Sequence, residues 1–270
     1  MDALLTAAGS LTVFGLVLVR LSSVLIAGSW WFGHAAIPIQ AKAGLAFVLA
    51  LLVTPTLGWV LPPPSTLLDL LWMVLGEVLV GGTAGLAVAA VLSGLQLAGD
   101  LIDQQAGVAL GEVFNPATGD SMTVTGTFLV SVSTAALLAA EPFGLEERLL
   151  AGLLDSFLSL PPGRVAMPSG DDPALLAALS GLIQQAAILG LRVAAPLMAV
   201  MALVSLTLGT LGATVPQVNV LVLGFAVRTA AALFVVMISL SPAMEVTLAT
   251  AFEAVDHAMG LVEGFRPLTN

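Results

Sequence analysis

Four charged side chains stand inside long apolar stretches of this chain: Arg20, Glu77, Arg192 and Arg228. A charge at the centre of a bilayer costs at least about 2.5–3.5 kcal/mol on insertion scales, so such residues face protein, water or an opposite charge. One chemistry open to them is an ion or proton relay. The other is ion pairing: Arg20, Arg192 and Arg228 with Glu77, Asp100 or Asp103, within the protein or across a subunit contact. A relay is expected to place carboxylates in adjacent spans, and only Glu77 sits deep in a run. Pairing is the expected role.

Other chemistries have little to work with. The chain has no cysteine, which removes disulfides, thiolate ligands and thiol nucleophiles. Its two histidines, His34 and His257, are far apart in sequence, and a zinc or di-iron site would be hard to build from them. No serine-hydrolase elbow, zinc-protease helix, phosphate loop or catalytic carboxylate pair is present. Gly81-Gly82-Thr83-Ala84-Gly85 suits close helix packing rather than a nucleotide. Gln104, Gln105, Gln184 and Gln185 could line a polar path or satisfy helix contacts. A net charge of −10, from 7 basic and 17 acidic residues, repels nucleic acid.

The elements that position these residues follow from composition. Of the 270 residues, 59% are hydrophobic and 9% charged, with a mean hydropathy of +1.08. Soluble domains carry about 25% charged residues. An integral, all-α membrane protein is implied. Asp2 is the only charge ahead of the first apolar run, unlike a basic secretory leader, so that segment is expected to be retained. The first run covers Leu11 to Trp31 and the second Leu45 to Leu61, ending at Pro62-Pro63-Pro64. The third opens after an N-cap at Ser65-Thr66, with Asp69 in its first turn, and runs to about Gln105. As one helix it would be about 60 Å long, twice the hydrocarbon thickness. Either it turns near Gly81-Gly82 or it ignores bilayer dimensions. Thr123 to Ala140 is apolar again, Leu145 to Leu160 is amphipathic, and Asp172-Pro173 opens a run from Leu175 to Leu211 that Pro196 should kink. After a break at Thr214 to Gln217, Val218 to Leu240 reads as a span ended by Ser241-Pro242, with an amphipathic tail beyond it.

The connection from Gln104 to Ser121 is long for a compact membrane protein, and loops of that length are disproportionately functional. It mixes Gly107, Gly111 and Gly119 with apolar Val108, Leu110, Val113 and Phe114. A loop in water does not need those apolar residues; one folded into a cavity or pore does.

Several stretches together resemble the FliR family of bacterial flagellar export-gate proteins and its counterparts in virulence type III secretion. They begin with Pro38, Lys42 and Thr54-Pro55. Gly76-Glu77-Val78-Leu79-Val80-Gly81-Gly82 resembles the family's E-x-x-x-G stretch. Ala98-Gly99-Asp100-Leu101-Ile102-Asp103-Gln104-Gln105-Ala106-Gly107 is similar to its AG-x-L-I-D-x-Q-x-G signature, followed by Asn115-Pro116 and Gly119. Ser156-Phe157 and Leu160-Pro161 match an S-F…P element. The most specific is Pro216-Gln217-Val218-Asn219-Val220, with Gly224-Phe225 after it. The chain departs from the pattern at Ala139 to Phe143, where an Asn-Gly-His stretch is usual, and at Ala226, where proline is common.

The resemblance implies a non-enzymatic, cofactor-free subunit that joins FliP-like and FliQ-like partners in a helical gate, near FlhA-like and FlhB-like export proteins. Residues 1–170 would form a FliP-like part and residues 171–270 a FliQ-like hairpin and tail. Much of such an assembly sits above the usual membrane plane, which would account for the over-long runs. The implied pore plug is Gln105 to Gly119, namely Gln105, Gly107, Val108, Leu110, Gly111, Val113, Phe114, Asn115, Pro116 and Gly119. Unfolded substrates would pass through the channel it closes, in the inner membrane at the basal body. The alternatives are the equivalent subunit of a virulence system and, from another class, a secondary transporter using Pro196-broken helices with Glu77 or Arg192 at its midplane.

Overall fold

The computed structural model describes residues 2–29, 38–58, 64, 66–107, 124–139, 145–164, 173–214 and 220–264. Over those residues every regular element is an α-helix: α1 (Asp2–Ser29), α2 (Ile39–Leu57), α3 (Leu67–Ala106), α4 (Val124–Ala139), α5 (Leu145–Ser159), α6 (Pro173–Thr214) and α7 (Val220–Gly264). Five of them are long and apolar enough to cross a membrane. The fold is that of an all-α integral membrane protein.

Local chemistry sets several ends. Pro38 precedes α2 with extended backbone, and Pro173 opens α6, where its missing N–H is no loss. At the start of α3 the Asp69 N–H donates to Thr66 Oγ1 at 3.1 Å and the Thr66 N–H donates to Asp69 Oδ2 at 3.0 Å. Each side chain thus satisfies the other residue's amide, the reciprocal logic of a capping box.

One alternative about helix ends is settled and one expectation gives way. The 40 residues of α3 form one helix with no turn at Gly81-Gly82. The reason is packing, since Gly81 and Gly85 lie against the backbone of α1. Nor does Ser241-Pro242 end α7, which runs through Pro242 to Gly264. An interior proline forfeits one hydrogen bond and strains the preceding turn, at about 3 kcal/mol. Beyond it, Ala243, Thr247, Ala251, Ala254, Val255 and Ala258 form a buried stripe at helical spacing that offsets this cost. Likewise α6 runs through Pro196.

The chain divides into two compact units. Residues 1–90, 141–183 and 251–270 make the first. Its core joins α1, α2 and α5 through Val13, Leu16, Val17 and Leu21, then Ala46, Ala50 and Val53, then Leu153 and Phe157. The rings of Phe14 and Phe47 meet edge to face at 5.6 Å. Residues 91–140 and 184–250 make the second. There α3 and α6 approach closely: a Cβ built on Gly94 would lie 2.6 Å from the Ala186 carbonyl oxygen.

Candidate functional site

The first unit holds a buried ionic clasp. Arg20 falls on the stripe of α1 that carries Val13, Leu16, Val17 and Leu21, so helical periodicity drives its side chain into the core. Glu77 and Gly81 are one turn apart on α3 and share a face. At Gly81 a Cβ would overlap the Arg20 carbonyl oxygen and Ser23 Oγ; at Gly85 it would lie 2.5 Å from the Val24 carbonyl oxygen. The glycines let the two backbones touch, and that approach puts the Glu77 carboxylate within reach of Arg20.

Every donor nitrogen of the guanidinium is then used. Arg20 Nε donates to Glu77 Oε2 at 2.5 Å, and both side chains are fully buried. Nη1 donates to the Ser156 carbonyl oxygen at 3.1 Å and to Ser156 Oγ at 3.3 Å. Nη2 donates to the Leu160 carbonyl oxygen at 3.1 Å. The Phe157 ring stacks beneath, with the guanidinium carbon 4.5 Å from its centroid. The remaining Glu77 oxygen, Oε1, accepts from the Gly163 N–H at 2.8 Å. Gly163 sits at φ 75 in the turn after Pro161, a conformation glycine adopts without steric penalty.

Ser156, Phe157 and Leu160 of the S-F…P element therefore surround the guanidinium. A cation caps the C-terminal carbonyls of α5, where the helix dipole favours it. A carboxylate holds the turn that follows. The clasp ties α1, α3 and the end of α5 into one piece. All three guanidinium nitrogens and both carboxylate oxygens are engaged within it, which is the arrangement of a structural pair rather than of a carrier.

The second unit holds a polar anchor where the long connection begins and ends. Asp103, in the last turn of α3, is buried. Its Oδ2 accepts from the Thr125 N–H at 3.1 Å, and its Oδ1 accepts from the Thr125 hydroxyl. Thr125 lies in the first turn of α4, so Asp103 caps that helix from outside it. Gly99 and Gly126 bring the two backbones together, for a Cβ on Gly99 would overlap Gly126. At Gly107, φ 81 closes α3, its N–H donating to the Gln104 carbonyl oxygen at 3.3 Å. Beside the anchor, α3, α4 and α7 line an open groove of about 310 Å³, with Ile102, Asp103, Thr125, Phe128, Leu233 and Met237 among its residues.

The remaining candidates are scattered. Gln104 and Gln105 are exposed, Asp100 is half-buried and Gly224 is buried beside Leu208. Arg228 is half-buried, its Nη2 3.4 Å from Ser205 Oγ and its Nε without a partner among the described residues. Arg192 is exposed on α6 with no ion pair among the described residues. Val108, Leu110, Gly111, Val113, Phe114, Asn115, Pro116 and Gly119, with Pro216, Gln217, Asn219 and His34, lie outside the described residues. Sequence reasoning missed Ser156, Leu160 and Gly163 as ligands of the ion pair. Two of the groups they supply are backbone carbonyls and one is an N–H, which no residue type signals.

Residues 11–254 match the family model of bacterial export proteins, family 1. The flagellar biosynthetic protein FliR of Bacillus subtilis (strain 168) is 30% identical over 230 residues, covering 84% of this chain and 86% of that protein. FliR of Pectobacterium carotovorum is 32% identical over 194 residues, 72% of this chain and 71% of its own. FliR of Escherichia coli (strain K12) is 27% identical over 190 residues, 70% of each chain.

Proposed function

The chain belongs to the FliR family of bacterial export proteins, and on that premise we propose that the segment from Gln105 to Gly119 plugs the channel of the export gate. The chain is a multi-pass membrane subunit of the flagellar type III export gate. Its family is a structural part of a secretion apparatus, and the chain contributes a path rather than a catalytic centre. The inner membrane is its site, and FliP-like and FliQ-like subunits are its neighbours. FlhA-like and FlhB-like proteins complete the machine, and unfolded export substrates are the cargo. Residues 1–170 act as the FliP-like part and residues 171–270 as the FliQ-like hairpin.

The observation that supports the plug is the anchor at its base. Asp103 fastens the end of α3 to the start of α4, so the chain leaves and returns at one place. A loop held at both ends can occupy a pore without being carried away by passing cargo. Its apolar members Val108, Leu110, Val113 and Phe114 would keep a resting pore dry, as hydrophobic constrictions do. Deleting Val108 to Asn115 from the chromosomal copy tests this. The expected result is increased leakage of ions or small solutes with the gate complex intact. Unchanged permeability in cells that assemble the complex would overturn the plug.

A further inference from the structure

The geometry points to the groove between α3, α4 and α7 as the resting seat of this chain's own segment 108–123, with Val113 and Phe114 as the side chains that fill it. This rests on the plug reading and deepens it, because a wall of the chain's own helices then grips the plug in addition to the anchor at its base. The groove lies wholly within the second unit. Its α7 wall is a stripe at helical spacing, with Thr229, Leu233, Val236 and Met237 in it. Leu233 and Met237 are 64% and 78% exposed, and Phe128 on the α4 side is 47% exposed. The polar groups in the lining are already engaged in place. Asp103 and Thr125 bond each other, and the Thr229 hydroxyl donates to the Phe225 carbonyl oxygen at 3.0 Å. The groove therefore asks its occupant for apolar contact alone.

Where the segment ends names the occupant. Ala106 and Thr125 both line the groove, so residues 108–123 depart from its edge and return to it. At the departure a Cβ on Gly107 would lie 3.5 Å from Phe225 Cδ2, so the chain sets out against α7. Phe225 and Met237 are about 18 Å apart along that helix, at 1.5 Å per residue. Phe114 follows Gly107 by a stretch that reaches up to about 25 Å when extended, so the whole stripe is within its range. Val113 and Phe114 stand between Gly111 and Gly119, and those glycines let the chain turn so that the pair faces the wall. A segment tethered at both ends beside its seat has an effective concentration on the order of millimolar, which a free ligand must exceed to displace it. Seated this way, the apolar residues of the segment and those of the wall cover one another.

The test uses the full chain in its native membrane with the other gate subunits present. The chain has no cysteine, so two introduced thiols have only each other within it. Val113→Cys is combined with Leu233→Cys, or with Phe234→Cys as the comparator. Phe234 is as exposed, at 65%, but points about 100° away around α7. Under a mild oxidant the 113–233 bridge, read as a linked peptide after digestion, should form at least about tenfold faster than the 113–234 bridge, because a disulfide needs its Cβ atoms within about 4.5 Å. Adding Phe114→Ala should slow the 113–233 bridge about tenfold. If Leu233→Cys does not accumulate, Met237→Cys and Ile238→Cys carry the same comparison. Equal rates at the two positions, no bridge at either, or a rate indifferent to Phe114 would each overturn the seat. The plug reading fails separately. If deleting Val108 to Asn115 leaves permeability unchanged while the 113–233 bridge forms, the segment is seated but does not plug; leakage without a bridge keeps the plug and removes the seat.

Discussion

A buried ion pair is weak evidence of stability by itself, because desolvation consumes most of the attraction. Arg20 and Glu77 differ from the generic case in what else they hold. The guanidinium satisfies the Ser156 and Leu160 carbonyls, and the carboxylate satisfies the Gly163 N–H. Removing one partner, as in Arg20→Ala or Glu77→Ala, should destabilise the protein by about 3–5 kcal/mol, read as loss of chain from membranes and a lower unfolding midpoint in detergent. The exchange Arg20→Glu with Glu77→Arg restores the attraction but faces two carbonyls with an acceptor. It should not rescue folding, and recovery of wild-type stability would show that the pair acts by charge alone. Asp103 makes a smaller claim. Asp103→Ala strips the outside cap from α4, worth about 0.5–2 kcal/mol, whereas Asp103→Asn keeps one oxygen acceptor and loses less. Amide hydrogen exchange at Thr125 and Gly126 should quicken in that order.

At the scale of elements, the helices were largely legible because apolar runs without breakers have one solution in a membrane. Their ends were less so. Sequence leaves open a turn at Gly81-Gly82 and ends a helix at Ser241-Pro242, yet α3 and α7 pass through both places. What a breaker costs is local, while what it is offset by, close backbone contact at Gly81 or a buried stripe beyond Pro242, comes from distant segments. The same limit applies to the clasp. Arg20 was visibly in need of a partner, with three carboxylates open to it, and only the approach of α1 and α3 selects Glu77, 57 residues away. The two adjacent glycines make a direct test. Gly81→Ala forces a methyl into Ser23 and the Arg20 carbonyl and should cost about 1–3 kcal/mol. Gly82 has nothing within 4 Å of a built Cβ, so Gly82→Ala should be neutral or stabilising by up to about 1 kcal/mol through helix propensity. Equal effects at the two positions, measured by thermal unfolding in one detergent, would remove close packing as the reason α3 stays whole.

Three of the helices are each longer than a bilayer is thick, and they are apolar over much of their exposed surface. At 40, 42 and 45 residues, α3, α6 and α7 would each reach about 60–68 Å, against about 30 Å of hydrocarbon. Of the most apolar stretches in Leu179–Thr214 and Val222–Gly260, only 33% and 11% are buried within the chain. Lipid can cover roughly half such a helix. The rest, including side chains such as Met237 at 78% exposed, needs protein against it, because contiguous apolar surface of that extent is not tolerated in water. The folded chain is then stable only as far as its neighbours are present. Partners that bind only the folded form stabilise it by mass action, by about 2.7 kcal/mol when their concentration is a hundred times the dissociation constant. Expressed alone, the chain should be degraded quickly and aggregate on extraction. Co-expression with the other gate subunits should lengthen its half-life in a pulse-chase measurement and raise its unfolding temperature in detergent. A chain that is monodisperse and equally long-lived without them would mean that its long apolar helices cover themselves, and that the scarcity of charge reflects depth in lipid alone.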